Sequence, residues 1–111
     1  CTNPDLIVHR GKKEEYCAGS IAKVFESLGG RVVYFGKPYK EIYNMCFNRK
    51  EKALAIGDNL RTDIKGANLL NFDSLLITNG IHRKEILEFE LNHVLKKYEV
   101  NIDYNQKILK W

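Results

Sequence analysis

The chain has 111 residues, of which 44% are hydrophobic and 29% charged, the balance of an ordinary globular protein. That length suits one domain, and the chain shows neither the run of roughly 20 apolar residues that a membrane-spanning helix needs nor a signal segment. Its 18 basic and 14 acidic residues give a net charge of +4, but the basic residues are scattered. Nucleic-acid binders usually concentrate them in a stripe, so we expect neither a membrane nor a nucleic-acid partner.

The three cysteines give a hint of the compartment. Cys1, Cys17 and Cys46 do not have the spacing of a metal site, and an odd number argues against a disulfide framework. A reducing cytoplasm is therefore the expected location.

The first third of the chain predicts a loop, a helix and a strand. Turn-forming residues indicate a loop over 1–13. A helix is predicted over 14–28, because apolar residues recur at helical spacing until Gly29 ends the pattern. Residues 31–35 are β-branched and aromatic and predict a strand. The helix should bury the face formed by Cys17, Ile21, Val24, Phe25 and Leu28.

The rest of the chain predicts helices that alternate with strands. Helices are expected over 39–47, 62–70 and 84–98, and strands over 53–56 and 72–78. Such alternation predicts an α/β fold with a parallel, doubly wound sheet. Residues 99–111 show no pattern that assigns them a structure. The predicted buried residues of the three helices are Ile42, Met45 and Cys46, then Ile64, Ala67 and Leu70, then Leu87, Leu91, Val94, Leu95 and Tyr98.

An acidic segment follows the strand over 53–56. Gly57 breaks the strand, and Asp58 and Asp63 lie five residues apart before the next helix. In open α/β sheets, ligands bind at the carboxyl ends of strands, and Mg²⁺ prefers carboxylate oxygens. The segment alone fits a metal site and a capped strand-to-helix turn equally well.

A lysine lies one strand-and-helix unit upstream of this segment. Lys37, in Gly36-Lys37-Pro38, precedes Asp58 by 21 residues, so parallel packing would bring both to the same sheet edge. An ammonium group beside two carboxylates and backbone amides suits a Mg²⁺ and phosphate pocket. Nearby, His82 is expected to be a solvated loop residue.

These motifs together resemble a known family. Thr2-Asn3-Pro4-Asp5, Gly36-Lys37-Pro38, the run from Gly57 to Ile64 and Leu76-Ile77-Thr78-Asn79-Gly80 occur in the order and spacing of the haloacid dehalogenase (HAD) superfamily. More narrowly, they resemble its class IIA, the NagD-like and p-nitrophenylphosphatase-like phosphatases of sugar phosphates and nucleotides. The resemblance covers about residues 2–83. It implies a Rossmann-like core, with residues 1–31 as a remnant of the C2 cap domain and 32–111 as the C-terminal part of the core.

The resemblance also implies a role for each motif residue. Lys37 would hold the substrate phosphate and neutralise the nucleophile, and Asp58 would bind Mg²⁺. Asp63 would be the second acid, acting on the metal directly or through water. Asn59 would shape the phosphate loop, and two further residues would lie near the substrate, a phosphate monoester. These two are Asn3 and Asp5.

One family motif does not occur in these residues. Family members carry Asp-x-Asp on the first core strand, whose first Asp attacks phosphorus, and the 111 residues contain no Asp-x-Asp. We therefore expect a C-terminal segment of a phosphatase that is inactive alone, because phosphoryl transfer through a covalent intermediate needs a nucleophile.

Two other readings remain open. The chain could be a non-catalytic binding module, or a subunit completed by an N-terminal-half polypeptide, and an unpaired edge of the strand over 53–56 would also favour self-association. A response-regulator-like receiver would also place acids and a lysine at a sheet edge. It would need its lysine after the acids, whereas Lys37 precedes them.

Overall fold

The computed structural model describes residues 1–46 and 51–110. Strands alternate with helices over most of the chain, as the sequence predicts. The elements are β1 (Ile7–Arg10), β2 (Lys13–Tyr16), α1 (Ala18–Ser27), α2 (Lys40–Asn44), β3 (Leu54–Gly57), a π-helical turn (Leu60–Ile64), α3 (Lys65–Leu70), β4 (Asp73–Ile77), α4 (Arg83–Phe89), α5 (Leu91–Tyr98) and β5 (Tyr104–Gln106).

The central sheet has three parallel strands in the order β3-β4-β5. Ala55 lies opposite Ser74, and Leu76 lies opposite Asn105. The predicted α/β class with a parallel sheet is thus confirmed, and β3 and β4 form within a residue of their predicted bounds. The third strand, however, comes from the C-terminal stretch that the sequence left unassigned.

The core lies on one face of this sheet. Leu76 of β4 packs there with residues of the π-helical turn, of α5 and of the segment after it, and all five are nearly inaccessible to solvent; the set is Leu60, Ile64, Leu76, Val94 and Val100. Buried Ser74 on the same face is satisfied by Asp103, which accepts from its amide at 2.8 Å and its hydroxyl at 3.1 Å. Asp103 thereby fixes the chain that enters β5.

The opposite face of the sheet is uncovered at β3. Leu54 and Ile56 point there, because side chains alternate along a strand, and they are 50% and 38% exposed. The whole chain exposes 8285 Å², whereas a compact monomer of its 12.9 kDa would expose about 6,300 Å². The excess, about 2,000 Å², is more than twice the roughly 800 Å² that each partner buries in a standard protein–protein interface.

The N-terminal third differs from the prediction. The expected loop over 1–13 contains β1, which pairs with β2 as an antiparallel hairpin, and α1 begins only at Ala18. Helical spacing correctly predicts α1, but its apolar stripe is not buried. Ile21 is 72% exposed and Leu28 80%, since α1 instead packs through Gly19 and Ala22.

Residues 31–35 do not form a regular strand. Their backbone is bonded to a single residue, because the Cys1 ammonium donates to the Val33 carbonyl at 2.6 Å and the Phe35 amide donates to the Cys1 carbonyl at 2.9 Å. One bonded residue is too short a ladder, so the predicted strand is wrong in this structure.

The helix predictions fail mainly at helix ends. Helix α2 has five residues, and Met45 and Cys46 beyond it are exposed, contrary to prediction; Phe47 lies outside the described residues. The predicted helix over 84–98 is two helices, because Glu90 has a positive φ of 65° that interrupts the backbone. Leu87 is consequently 87% exposed instead of buried.

Tyr43 of α2 packs against the sheet layer with a hydroxyl that lacks a hydrogen-bond partner in the described part of the chain. Its ring meets Phe72 edge-on at 5.9 Å, and a Cβ on Gly66 would overlap its hydroxyl. Burial, with a smaller contribution from the Asp63 charge, raises the pKa of Tyr43 to about 12. The hydroxyl is therefore a buried polar group held in its neutral form.

Replacing Tyr43 with Phe should raise the free energy of unfolding by about 1 kcal/mol at pH 7, because the unpaired hydroxyl is removed without changing the ring. The folded-state pKa of Tyr43 lies above its unfolded value of 10.0, so the wild-type chain should lose stability between about pH 10 and 12, and the variant should lose less. Denaturant titration measures both. Gly66→Ala should cost more stability in the wild-type chain than in the Tyr43→Phe variant, because the added Cβ would overlap the Tyr43 hydroxyl. Equal costs in the two backgrounds would contradict this packing.

Among the described residues, no helix is both long and apolar enough to cross a bilayer.

Candidate active site

The acidic segment forms a rigid link between β3 and α3. After β3 ends at Gly57, the Asn59 carbonyl accepts hydrogen bonds from the amides of Asp63 at 2.9 Å and Ile64 at 3.2 Å, which closes the π-helical turn. The Asn59 side chain caps the turn by accepting from the Arg61 amide at 3.0 Å. The segment is thus a capped turn, as one reading of the sequence had it, and this turn also sets the positions of two carboxylates.

Asp63 lies at the bottom of the site and is only 8% exposed. One of its oxygens accepts from the Lys37 ammonium, and the other accepts from the Asn59 amide at 3.1 Å. A Cβ on Gly57 would overlap the Asp63 carboxyl, so this close approach needs glycine at the end of β3. The sheet-edge argument thus correctly anticipated that Lys37 and the acidic segment would meet.

The acidic surroundings raise the pKa of Lys37. Partial burial lowers the pKa of its ammonium, but the hydrogen bond and charge of Asp63, with the charges of Asp5 and Asp58, outweigh burial and raise the pKa above its usual value. Lys37 is therefore a fixed positive charge at neutral pH. About half of its side chain is still open to solvent, so it can also reach an anion in the cleft.

Asp58 faces the same cleft from the other side of the turn. Its Oδ2 accepts from the Ile81 amide at 3.0 Å, and a Cβ on Gly80 would overlap the carboxyl. The segment after β4 therefore holds Asp58 in place. This contact gives Asn79-Gly80-Ile81 a structural purpose that the sequence motif alone did not reveal.

The N-terminal motif is divided between two environments. Asp5 lies at the cleft, where its Oδ1 accepts from the side-chain nitrogen Nδ2 of Asn59 and from the Thr62 hydroxyl, both at 2.9 Å. Asn3 is exposed and does not line the cleft; its side chain accepts from the Asp5 amide at 3.2 Å. The structure thus brings Asp5, but not Asn3, beside the acidic segment.

The cleft between these groups has a volume of about 280 Å³. Sequence reasoning identified its floor, made of Lys37 and the acidic segment, but not its rim, to which Arg83 and His9 contribute. Arg83 begins α4 just after the Asn79-Gly80 turn, and this position beside a sheet-edge turn was the available signal for it. His9 comes from the β1–β2 hairpin, which the sequence did not predict.

The described residues contain no group of three or more His, Cys, Asp or Glu side chains arranged as a complete metal site. The two acids nevertheless fit part of a magnesium site. Asp58 keeps one carboxylate oxygen without a hydrogen bond from the described residues, and Asp63 adds a second carboxylate to the cleft. Mg²⁺ commonly uses one or two carboxylates, with water and phosphate as its other ligands.

His82 is not solvated, contrary to expectation. It is 8% exposed and meets the Tyr98 ring at 4.8 Å, and its Nδ1 lies 3.2 Å from Glu85. Burial lowers the pKa of His82 against the opposing effect of Glu85. This histidine joins α4 to α5 and lines a neighbouring cavity of about 210 Å³ instead of the cleft.

Comparison with protein families gives a match over most of the chain. The HAD-hydrolase-like family model matches residues 34–99, which include Lys37, Asp58 and Asp63. The chain is also 31% identical over 85 residues to the ribonucleotide monophosphatase NagD of Escherichia coli K12. That alignment covers 72% of this chain but 33% of the relative, so the chain spans about a third of the length of the curated relatives it matches.

Two solved structures also superpose on this chain. A possible sugar phosphatase of the HAD superfamily from Cytophaga hutchinsonii superposes with a TM-score of 0.71 at 25% identity, over 93% of this chain and 38% of that one. A glycerol phosphate phosphatase from Mycobacterium tuberculosis, solved in complex with magnesium and with calcium, superposes with a TM-score of 0.58 at 29% identity. It covers 71% of this chain, which spans 25% of the magnesium-bound one.

Proposed function

Because the chain belongs to the haloacid dehalogenase superfamily, in its NagD-like class IIA, we propose that it supplies the metal and phosphate subsite of a Mg²⁺-dependent phosphatase. The observation that carries this proposal is the meeting of Lys37, Asp58 and Asp63 in one cleft, at the carboxyl end of a parallel strand. Its substrates would be phosphate monoesters such as sugar phosphates or nucleotide monophosphates. That range rests on the relatives.

Each side chain has a distinct task in this proposal. Lys37 binds a phosphate oxygen and offsets the negative charge that builds up as the ester bond breaks. Asp58 would hold Mg²⁺, Asp63 would act on the metal directly or through water, and Asn59 would shape the loop between them. Bound magnesium would neutralise phosphate charge and help orient the ester. Asp63 also keeps Lys37 in place through their ion pair.

The same proposal predicts that these 111 residues are inactive by themselves. They contain no Asp-x-Asp, and Asp58 would have to leave the metal to act as a nucleophile. We propose that residues 1–31 are the end of a cap domain and that residues 32–111 belong to the core. The separate β1–β2 hairpin, outside the central sheet, supports that division. The cytoplasmic location stays a prediction.

A second candidate is a binding module completed by another polypeptide, and the excess exposed area of the chain favours it. The completing polypeptide would be an N-terminal half that carries Asp-x-Asp, or a second copy of this chain through self-association. Both would cover the open side of β3, and only the former would supply the missing nucleophile.

Metal binding tests the proposed site directly. Mn²⁺, a visible substitute for Mg²⁺ at carboxylate sites, can be titrated into the chain while electron paramagnetic resonance reports the free ion. Asp58→Asn should weaken binding by roughly tenfold or more, because it removes a charged oxygen ligand. Asp73→Asn is the matched control, since this exposed acid lies at the opposite end of the sheet. Equal affinities for the wild type and Asp58→Asn would refute the metal role.

A further inference from the structure

The acidic segment is tied to the N-terminal segment through one carboxylate oxygen. Oδ1 of Asp5 accepts hydrogen bonds from both Asn59 and Thr62, although these residues lie 54 and 57 positions away in the chain. We propose that Asp5 is a positioning residue. Through it the N-terminal segment, residues 4–6, sets the conformation of the π-helical turn over Leu60–Ile64, which together with Asp58 and Asn59 is called the metal-binding turn below. The consequence of this inference for function rests on the role in metal binding proposed above for that turn.

The two donors are placed where they control both acids. Asn59 directly follows Asp58, and Thr62 directly precedes Asp63. Thr62 is 4% exposed, so water cannot readily replace Asp5 as its partner. By joining residues 59 and 62 through a single atom, Asp5 fixes the start of the turn relative to its middle. It reinforces the hydrogen bonds that the amides of Asp63 and Ile64 donate to the Asn59 carbonyl.

Asp5 can serve as an anchor only if the chain around it is held in place, and three contacts of its neighbours Pro4 and Leu6 hold it. Next to it, the Leu6 carbonyl accepts from the Cys17 amide at 2.9 Å and from the Ser20 hydroxyl at 2.6 Å. On the other side, Pro4 lies against the backbone of Gly19, where a Cβ would overlap its carbonyl. The N-terminal segment is thus fixed to α1, and Asp5 joins α1 and the β1–β2 hairpin to the metal-binding turn.

The shared acceptor oxygen allows the effect of its position to be tested separately from the effect of its charge. Because both donors use the same oxygen, Asp5→Asn can keep a carbonyl oxygen in that place, while it removes the charge and replaces the other oxygen with an NH2 group. Asp5→Ala removes the acceptor itself and leaves the buried Thr62 hydroxyl without a partner. If Asp5 acts by position, Asn should substitute for it and Ala should not.

Amide hydrogen exchange of the full 111-residue chain, without metal, reports on the turn directly. Asp5→Ala should raise exchange at Asp63 and Ile64 by roughly tenfold, the cost expected when the buried Thr62 hydroxyl loses its acceptor, and leave Leu76 in β4 unchanged. Asp5→Asn should stay within about twofold of the wild type. Ser27→Ala, which removes a hydroxyl hydrogen bond to the Val24 carbonyl within α1 and does not touch the N-terminal segment, should leave exchange in the turn unchanged.

A second pair of variants keeps the test decisive if Asp5→Ala does not fold. Thr62→Val removes one of the same bonds from the other side and should also raise exchange at Asp63, whereas Thr62→Ser should restore protection. Unchanged exchange in Asp5→Ala or Thr62→Val, or equal effects of Asp5→Ala and Ser27→Ala, would overturn the inference. The Mn²⁺ titration of Asp58→Asn is a separate measurement, so the metal role can fail while this inference stands, and the reverse.

Discussion

Purified alone, the 111-residue chain should release no measurable p-nitrophenol from p-nitrophenyl phosphate with Mg²⁺, and a companion polypeptide with an Asp-x-Asp strand should restore hydrolysis. In the proposed roles Lys37 binds the phosphate while Asp58 and Asp63 hold the metal, so none of the three is left to attack phosphorus. The companion should be taken from the reading frame upstream of the Cys1 codon. Steady-state release of p-nitrophenol by the mixture measures the effect.

Two controls distinguish a shared active site from a contaminant in that experiment. Asp58→Asn in this chain should lower the restored rate by roughly a hundredfold or more, because the phosphoryl group loses part of its electrostatic clamp. Replacing the first Asp of the companion's Asp-x-Asp with Asn should abolish hydrolysis. Turnover by the pure chain that disappears in Asp58→Asn would show that the nucleophile lies within these residues and would contradict the proposal.

The second large effect concerns the open side of β3. The pure chain should self-associate at micromolar concentrations, and the double variant Leu54→Lys/Ile56→Lys should be monomeric. Both side chains lie on the uncovered face of an edge strand, where an apolar surface and unpaired backbone groups favour pairing with another strand. Sedimentation velocity over a concentration series measures the change.

Leu87→Lys is the matched control for that variant. Leu87 is 87% exposed on α4, so its replacement adds one of the two positive charges of the double variant at a site remote from β3 and should leave the association unchanged. If the companion polypeptide covers β3, it should also dissociate the self-assembled form and fail to bind the double variant. Association that persists in Leu54→Lys/Ile56→Lys would place the contact elsewhere.

The sequence predicted those parts of the fold whose signals are local. Strand β3, the break at Gly57 and strand β4 each have a short apolar run with turn residues beside it. The spacing from Lys37 to Asp58 predicted that the two residues would meet at one edge, and they do, although residues 31–35 do not form the strand on which that prediction rested. The two strand signals depend on composition within a few residues, which a single sequence shows directly.

The remaining elements depend on distant partners. Strand β5 consists of Tyr104, Asn105 and Gln106, which have no apolar alternation, and it exists because β4 offers it a ladder. The apolar stripe of α1 was correctly identified, but the described residues contain nothing that covers it. Asp5 could not be assigned its partners for the same reason, because no local pattern links it to Asn59 and Thr62.

The uncovered face of the sheet has a thermodynamic consequence. Unfolding raises the heat capacity mainly through newly exposed apolar surface, and here Leu54 and Ile56 are already in contact with water in the folded chain. The heat-capacity increment should therefore fall below the roughly 1.2–1.5 kcal/mol/K per 100 residues of complete domains, and the dependence of unfolding on urea should be shallow. Whatever covers β3 would restore both values, so calorimetry can register completion of the fold without a substrate.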